Sequence, residues 1–170
     1  MNILDGLLGE HAALLTLFEH LEQTAARMDL ERLHEAGLLL ERVVMAHSIA
    51  EDRFLFDAVP DIWRESAQDG DPRLSGARAA ESGPASGLRD ALLAMRAEHK
   101  QLAREFDQLR ATGNEAAARG CLRSVVEAIR EHLEVEERVL FQVAAKQISP
   151  QRLEDLGSAW KGYRMKEALP

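Results

Sequence analysis

Apolar residues recur at intervals of three and four positions along four long stretches of this chain, the spacing of one face of an α-helix. The stretches cover about residues 2–28, 31–58, 87–111 and 115–147. Leucine, alanine, glutamate and arginine, which favour helices, dominate the composition. The pattern therefore predicts an all-α fold.

The connections between these stretches predict how the helices pair. The first two stretches meet at Asp29, and the last two meet at Gly113-Asn114, where Asp29 and Asn114 are suitable helix N-caps. Short connections join antiparallel neighbours, so we expect an antiparallel up-and-down four-helix bundle. Ser149-Pro150 then predicts the start of a short extra C-terminal helix, packed on the outside of the bundle.

The domain organisation follows from these elements. Residues 1–148 should form the bundle, and residues 149–170 a C-terminal helical extension. Residues 60–87, rich in glycine, serine and proline, are expected to form a long loop between the second and third helices. This loop follows the second helix closely enough to cap whatever the bundle contains.

The net charge and the cysteine content argue against some classes of function and indicate the cellular compartment. The chain has 170 residues, a formal net charge of −8 and the single cysteine Cys121. An acidic chain is a poor binder of nucleic acid or of anionic membranes, since phosphate binding needs a basic face. No apolar run is long enough to span a bilayer, the first residues lack a basic signal region, and a lone cysteine suits a reducing compartment. We therefore expect a cytoplasmic protein.

The candidate chemistry lies in the middle of the apolar stripes. Each stretch carries one histidine there, and the second and fourth stretches add a glutamate four positions later, on the same helix face. Burying an unpaired carboxylate costs several kcal/mol, whereas a metal ion turns carboxylates and imidazoles into ligands. The candidate ligands are His11, His47, Glu51, His99, His132 and Glu136.

Spacing indicates that the four histidines meet. His11 and His47 each lie 18 positions from residue 29, so an antiparallel hairpin brings both to one level. His99 and His132 straddle the second turn in a similar way. Side-by-side packing of the two hairpins would place all four imidazoles in one layer.

Other polar residues of these helices are expected at the surface. His20 lies on the opposite face of its helix from His11, and His34 lies on a different side from His47. Glu10, Glu98 and Glu131 directly precede three of the candidate histidines, yet their helical phase points outward or towards a neighbouring helix. Of the two alternatives, support for a ligand histidine or exposure to solvent, we expect these glutamates to be solvated.

The two halves of the chain repeat one another. Glu10-His11-x-x-Leu14 is echoed by Glu98-His99-x-x-Leu102, and a His-x-x-x-Glu motif followed by an acidic residue occurs in each half. With these motifs, residues 3–145 resemble the hemerythrin-like, or HHE cation-binding, family. The resemblance implies a four-helix bundle holding two iron ions in an oxo- or hydroxo-bridged centre. By the same resemblance the terminal ligands are His11, His47, His99 and His132, and the bridging carboxylates are Glu51 and Glu136.

One departure from the family pattern bears on function. Oxygen-carrying hemerythrins have two histidines spaced four apart on the third helix, but here Met95 and Ala103 flank His99 at that distance. The resemblance then implies an open iron position and favours binding or sensing of oxygen, nitric oxide or peroxide over simple oxygen carriage. The alternatives are an enzyme acting on peroxide or ferrous iron, and a regulatory module whose protein partner contacts Trp160 and Tyr163.

Other metal proteins fit the pattern less well. Ferritin-like bundles use Glu-x-x-His, which reverses the order found here and has a shorter spacing. A closed structural zinc site needs four ligands rather than six spread over four helices. The choice of iron over manganese rests on the family resemblance.

Overall fold

The computed structural model of the chain describes residues 1–58 and 84–167, and within the second range the side chains of residues 91–166. Every regular element in these ranges is helical, which confirms the predicted all-α class. The elements are α1 (Ile3–Thr24) with a 3₁₀ turn (Ala25–Arg27), α2 (Leu30–Glu51) with a π-helical turn (Asp52–Phe56), α3 (Pro84–Ala111), α4 (Glu115–Val135) with a π-helical turn (Glu136–Leu140), α5 (Phe141–Gln147) and α6 (Pro150–Glu167).

Side-chain caps define where the helices start. Asn2 and Asp5 form a capping box at the beginning of α1, each side chain binding the backbone N–H of the other. The predicted caps Asp29 and Asn114 accept hydrogen bonds from backbone N–H groups at the third position of α2 and α4. The third helix begins at Pro84, three residues before the predicted start. The rest of the predicted 60–87 loop lies outside the described residues.

The four long helices contact one another in a cycle, α1 with α2, α2 with α3, α3 with α4 and α4 with α1, and α2 also contacts α4. Helices α1 and α4 run antiparallel, because Glu22 pairs with Arg130, while His11, earlier in the chain than Glu22, lies beside Glu136, later in the chain than Arg130. The structure brings α2 and α3 together at Asp52 and Arg96, whose Oδ1 and Nε atoms are 3.3 Å apart.

Two apolar clusters fill the space between these helices. One contains Leu7, Met95 and Phe141, and the other contains Phe18 and Phe106. A polar layer lies between the clusters. Because this layer is shielded from water, its imidazoles and carboxylates lie in a medium of low dielectric constant. The buried polar residues among the described side chains are His11, His47, Ser48, Glu51, His99, His132 and Glu136.

Helix α6 is longer than predicted, with 18 residues rather than a short segment. It packs along α1 and against the π-helical turn that follows α2. The close approach depends on glycine, since a Cβ atom at Gly157 would lie 2.6 Å from the carbonyl oxygen of Met1. Trp160 packs in the same way against Gly6. The C-terminal extension is therefore docked onto the start of the chain.

Val43 and Val139 lie within the second and fourth apolar stretches but face outward. Val139 is 41% exposed, because the π-helical turn places Leu140 in the core instead. Val43 is likewise exposed, and its neighbour Val44 is buried. No helix within the described ranges combines the length and the apolarity needed to cross a membrane.

Candidate metal centre

The structure brings all six candidate ligands into the buried layer between the two apolar clusters. Helices α1 and α3 supply one histidine each, whereas α2 and α4 supply a histidine and then, four positions later, a glutamate close to the π-helical turn. Both glutamates are fully shielded from solvent. Burial of this kind requires compensation by opposite charge or by metal ligation.

The first half of the layer contains His11 and His47. Their Nε2 atoms are 3.1 Å apart. Glu51 Oε1 lies 3.3 Å from His47 Nε2, and Glu136 Oε2 lies 3.5 Å from His11 Nε2. These four residues form one group whose ligand atoms all lie within 4.8 Å of one another.

The second half contains His99 and His132 in the same arrangement. Their Nε2 atoms are 3.0 Å apart, with Glu136 Oε1 3.2 Å from His132 Nε2 and Glu51 Oε2 3.6 Å from His99 Nε2. A second group of four could therefore hold a second metal ion, and it includes the same two glutamates as the first. Each glutamate directs one oxygen to each half of the layer, as a bridging carboxylate does.

The unsatisfied polar atoms of this layer test whether a metal fits. All four carboxylate oxygens of Glu51 and Glu136 are buried and have no hydrogen-bond partner among the described residues. Buried polar atoms normally have a partner, so these atoms require an explanation. Imidazole nitrogens and carboxylate oxygens converging on a common point suit iron, zinc and related ions. The residues present therefore fit a pair of such ions.

Carboxylates also hold outer nitrogens of the imidazoles. Glu10 is half-buried rather than solvated, whereas Glu98 is exposed, as predicted, but also contacts an imidazole. Glu10 Oε2 lies 2.7 Å from His47 Nδ1, and Glu98 Oε2 lies 2.7 Å from His132 Nδ1. The helical phase of each glutamate does point away from its own helix's histidine. It points instead towards the histidine of the neighbouring helix, so these two glutamates contact imidazoles rather than being merely solvated. Glu131 is exposed, as predicted.

The residues that follow the two core glutamates face the remaining imidazoles. Glu137 Oε1 lies 2.8 Å from His11 Nδ1, whereas Asp52 Oδ2 lies 3.7 Å from His99 Nδ1. A carboxylate at Nδ1 fixes the tautomer and orientation of a ligand histidine and makes its other nitrogen a better donor. Glu137 meets this condition at His11, whereas Asp52 lies beyond hydrogen-bond distance of His99 Nδ1. The acidic residue after the second His-x-x-x-Glu motif was the sequence signal for the contact with His11.

The two π-helical turns lie directly at the core glutamates. In each turn a backbone N–H reaches the carbonyl five residues earlier, Asp57 to Asp52 and Phe141 to Glu136. Single π-helical turns within α-helices are frequent at functional sites. Their occurrence at equivalent places in both halves indicates that the site shapes the helices locally.

Charge in the layer raises the pKa of two imidazoles. Burial lowers the pKa of His47, but the negative charge of Glu51 and the hydrogen bond to Glu10 outweigh it and raise the pKa to about 10. Burial likewise opposes the charging of His132, whereas Glu136 and Glu98 raise its pKa to about 9. Without metal, both imidazoles are therefore cationic at neutral pH.

The core glutamates respond in opposite directions. Burial and the charge of Glu51 raise the pKa of Glu136. Burial acts to raise the pKa of Glu51 as well, but the positive charge of His47 and the proximity of His11 lower the pKa overall. One carboxylate of the pair is thus held as an anion while the other retains its proton more strongly.

Metal binding should therefore release protons at neutral pH. A metal-ligating Nε2 atom cannot carry a proton, so loading at pH 7 is expected to release about two protons per chain from His47 and His132. Calorimetric titration in buffers of different ionisation enthalpy measures this number. At pH 10.5, above both raised pKa values, the release from these imidazoles should be largely lost. Equal release at both pH values would contradict this protonation scheme.

The other two histidines lie away from the layer. His20 is exposed, as predicted. His34 is partly buried rather than fully at the surface, with its Nε2 atom 3.3 Å from Thr112 Oγ1. Neither histidine belongs to the two groups that could hold a metal ion.

An all-helical core that contains two adjoining groups able to hold a metal ion is typical of a helical cation-binding domain. Residues 2–144 match the family model of the hemerythrin HHE cation-binding domain, and the chain belongs to this family. The match covers both groups and ends before α6. No curated protein and no solved structure matches the chain.

Proposed function

We propose that this hemerythrin-like chain is a non-haem di-iron protein that binds or senses a small ligand. The cycle of four helices would be the antiparallel up-and-down bundle of the family. The observation that carries the proposal is the set of four buried carboxylate oxygens without hydrogen-bond partners, each directed at an imidazole nitrogen. One iron would be held by His11 and His47, the other by His99 and His132, and both by Glu51 and Glu136.

The charge balance of the layer suits a pair of iron ions. Two carboxylates offset part of the positive charge of two ions, and neutral imidazoles complete the protein ligands. Outer carboxylates such as Glu10 and Glu98 add further negative charge at the Nδ1 atoms. The acidic surroundings therefore favour the metal-bound layer over the metal-free, protonated layer.

The ligand count leaves room for a small molecule. Each group offers two imidazoles and two carboxylate oxygens, fewer than the six positions of octahedral iron. When bound, the iron pair would supply redox-active positions open to oxygen, nitric oxide or peroxide. Neither Met95 nor Ala103, the two positions four residues from His99, offers a nitrogen ligand, and Met95 is buried in an apolar cluster.

Aromatic side chains close the layer against water on one side. Phe141 packs against His11 with ring centroids 5.3 Å apart, and Phe56 stacks on His99 at 5.8 Å. Both phenyl rings are buried. An apolar wall of this kind excludes bulk water from the open positions while admitting small uncharged molecules.

The test is metal content and an optical spectrum after anaerobic loading with ferrous iron and exposure to air. We expect about two irons per chain and the charge-transfer band of a bridged ferric pair. Tight ligand binding without turnover supports binding or sensing, whereas sustained consumption of peroxide or ferrous iron would show an enzyme instead. A loaded chain that retains no iron would overturn the proposal.

A further inference from the structure

We propose that α6, which lies beyond the family match, is part of the metal site, and that Arg164 is a positioning residue for His47. The proposed link runs from the Arg164 guanidinium through the Glu10 carboxylate to the His47 imidazole. This inference rests on the proposed metal centre, because it assigns His47 as a ligand. It extends the site to a segment that the family pattern does not include.

The link consists of three short polar contacts. Arg164 Nε donates to Glu10 Oε1 at 2.7 Å, and Arg164 Nη2 donates to Glu10 Oε2 at 2.8 Å. The same Oε2 atom lies 2.7 Å from His47 Nδ1. A guanidinium that binds both oxygens of a carboxylate fixes the plane of that carboxylate as well as its position. Arg164 therefore determines where Glu10 holds the imidazole.

Helix α6 holds Arg164 in place through contacts on both sides of it. Trp160 packs so closely on Gly6 that an added Cβ atom there would lie 2.8 Å from the indole. Tyr163 packs against Phe54 with ring centroids 5.5 Å apart. These contacts fix the helix to α1 and to the π-helical turn after α2. The guanidinium consequently reaches Glu10 from a rigid support.

The equivalent pair in the second half of the chain lacks this support. Glu98 binds His132 Nδ1 at the same 2.7 Å, but its side chain is 48% exposed, against 22% for Glu10. Among the described side chains, no arginine or lysine pairs with Glu98. The chain thus provides an internal comparison, in which one outer glutamate is clamped by α6 and the other is not.

Space beside Glu10 makes the clamp necessary. A cleft of about 330 Å³ between α1 and α2 is lined by Glu10, Val43, His47 and Arg164. Without the guanidinium, the carboxylate could rotate into this cleft and leave His47 Nδ1 without its acceptor. Loss of the acceptor at Nδ1 of a ligand histidine typically weakens metal binding by about 10–100-fold.

A double-mutant cycle on anaerobic Fe(II) affinity tests the link. Arg164→Gln and Glu10→Gln should each weaken binding by roughly 10-fold or more, and Arg164→Gln should add almost nothing once Glu10 is already glutamine. Arg164→Lys keeps the positive charge but cannot bind both oxygens of Glu10 as a guanidinium does. Its Fe(II) affinity should lie between those of the wild type and Arg164→Gln. Lys161→Gln removes an exposed positive charge from the same helix and should leave the affinity unchanged.

Two further comparisons separate positioning from general loss of structure. Trp160 fluorescence in a Trp63→Phe background reports docking of α6, and Arg164→Gln should leave the emission of the metal-free chain unchanged. Arg164→Gln and Glu98→Gln should act additively, because they affect different imidazoles. Unchanged affinity in Arg164→Gln, or an equal loss with and without Glu10, would overturn the inference while leaving the metal centre standing. Absence of Fe(II) binding in the wild-type chain would overturn both.

Discussion

Glu51→Gln is expected to leave the chain unable to retain two irons, and Glu136→Gln is expected to do the same. Each glutamate belongs to both groups that could hold a metal ion, so one substitution would remove a charged ligand from both proposed ion positions. Glutamine has the shape of glutamate but carries no charge, so the packing around the buried layer is preserved. We expect iron content after desalting to fall from about two per chain to well below one.

Matched variants distinguish loss of a ligand from loss of charge. Glu19→Gln removes an exposed carboxylate from α1, and His20→Ala removes an exposed imidazole beside it. Both variants should retain the wild-type iron content. Far-ultraviolet circular dichroism should show equal helix content in all the variants. Two irons per chain in Glu51→Gln or Glu136→Gln would show that the bridging assignment is wrong.

Removing the metal should cost the protein several kcal/mol of unfolding free energy. A ligand that binds only the folded chain stabilises it by about 4 kcal/mol at a free concentration one thousand times its dissociation constant. For a chain of this size, that corresponds to a fall in Tm of roughly 8–16 °C. The physical reason is that the metal-free layer buries two carboxylates and four imidazoles without the metal ions that they would bind.

Thermal unfolding followed by circular dichroism measures the effect, with iron-loaded protein compared with protein treated with a chelator. Glu51→Gln provides the control, because its Tm should no longer depend on added iron. A Tm that is the same for loaded and stripped wild-type protein would mean that the folded layer gains nothing from metal. The four-histidine arrangement would then be a feature of packing alone.

Much of this site could be predicted because its residues obey two simple regularities. Helical spacing placed one histidine on each apolar stripe, and equal distances from the first turn placed His11 and His47 at one level. The structure brings their Nε2 atoms to 3.1 Å. A carboxylate on an apolar stripe is also conspicuous, because burial penalises it strongly. Glu51 and Glu136 stood out for that reason.

The π-helical turns could not be predicted from spacing. A step of four residues occurs on the apolar face of an α-helix and across a π-helical turn alike, so the apolar pattern does not distinguish them. Only the structure reveals the second turn, which places Leu140 rather than Val139 in the core. Repetition of Glu-acidic-Arg-x-Leu-Phe at residues 51–56 and 136–141 was the available signal.

The outer carboxylates and the length of α6 depend on contacts between elements. A glutamate that points away from its own helix's stripe is classed as exposed until a neighbouring helix is placed beside it, as α2 is beside Glu10. In α6, Gly157 and Gly162 lower the helix propensity, yet the helix continues to Glu167. Gly157 instead allows close packing on the first residues of the chain.

The shared glutamates also bear on how such a site could arise. The hairpin of α1 and α2 carries three residues of its own metal-binding group and donates Glu51 to the other group, and the hairpin of α3 and α4 does the same with Glu136. Neither hairpin alone contains a complete group. Two copies of one hairpin, related by a twofold axis, would contain both. The present chain has the arrangement that two such hairpins would have if joined into a single polypeptide, except that the halves are no longer equivalent, because Glu10 pairs with Arg164.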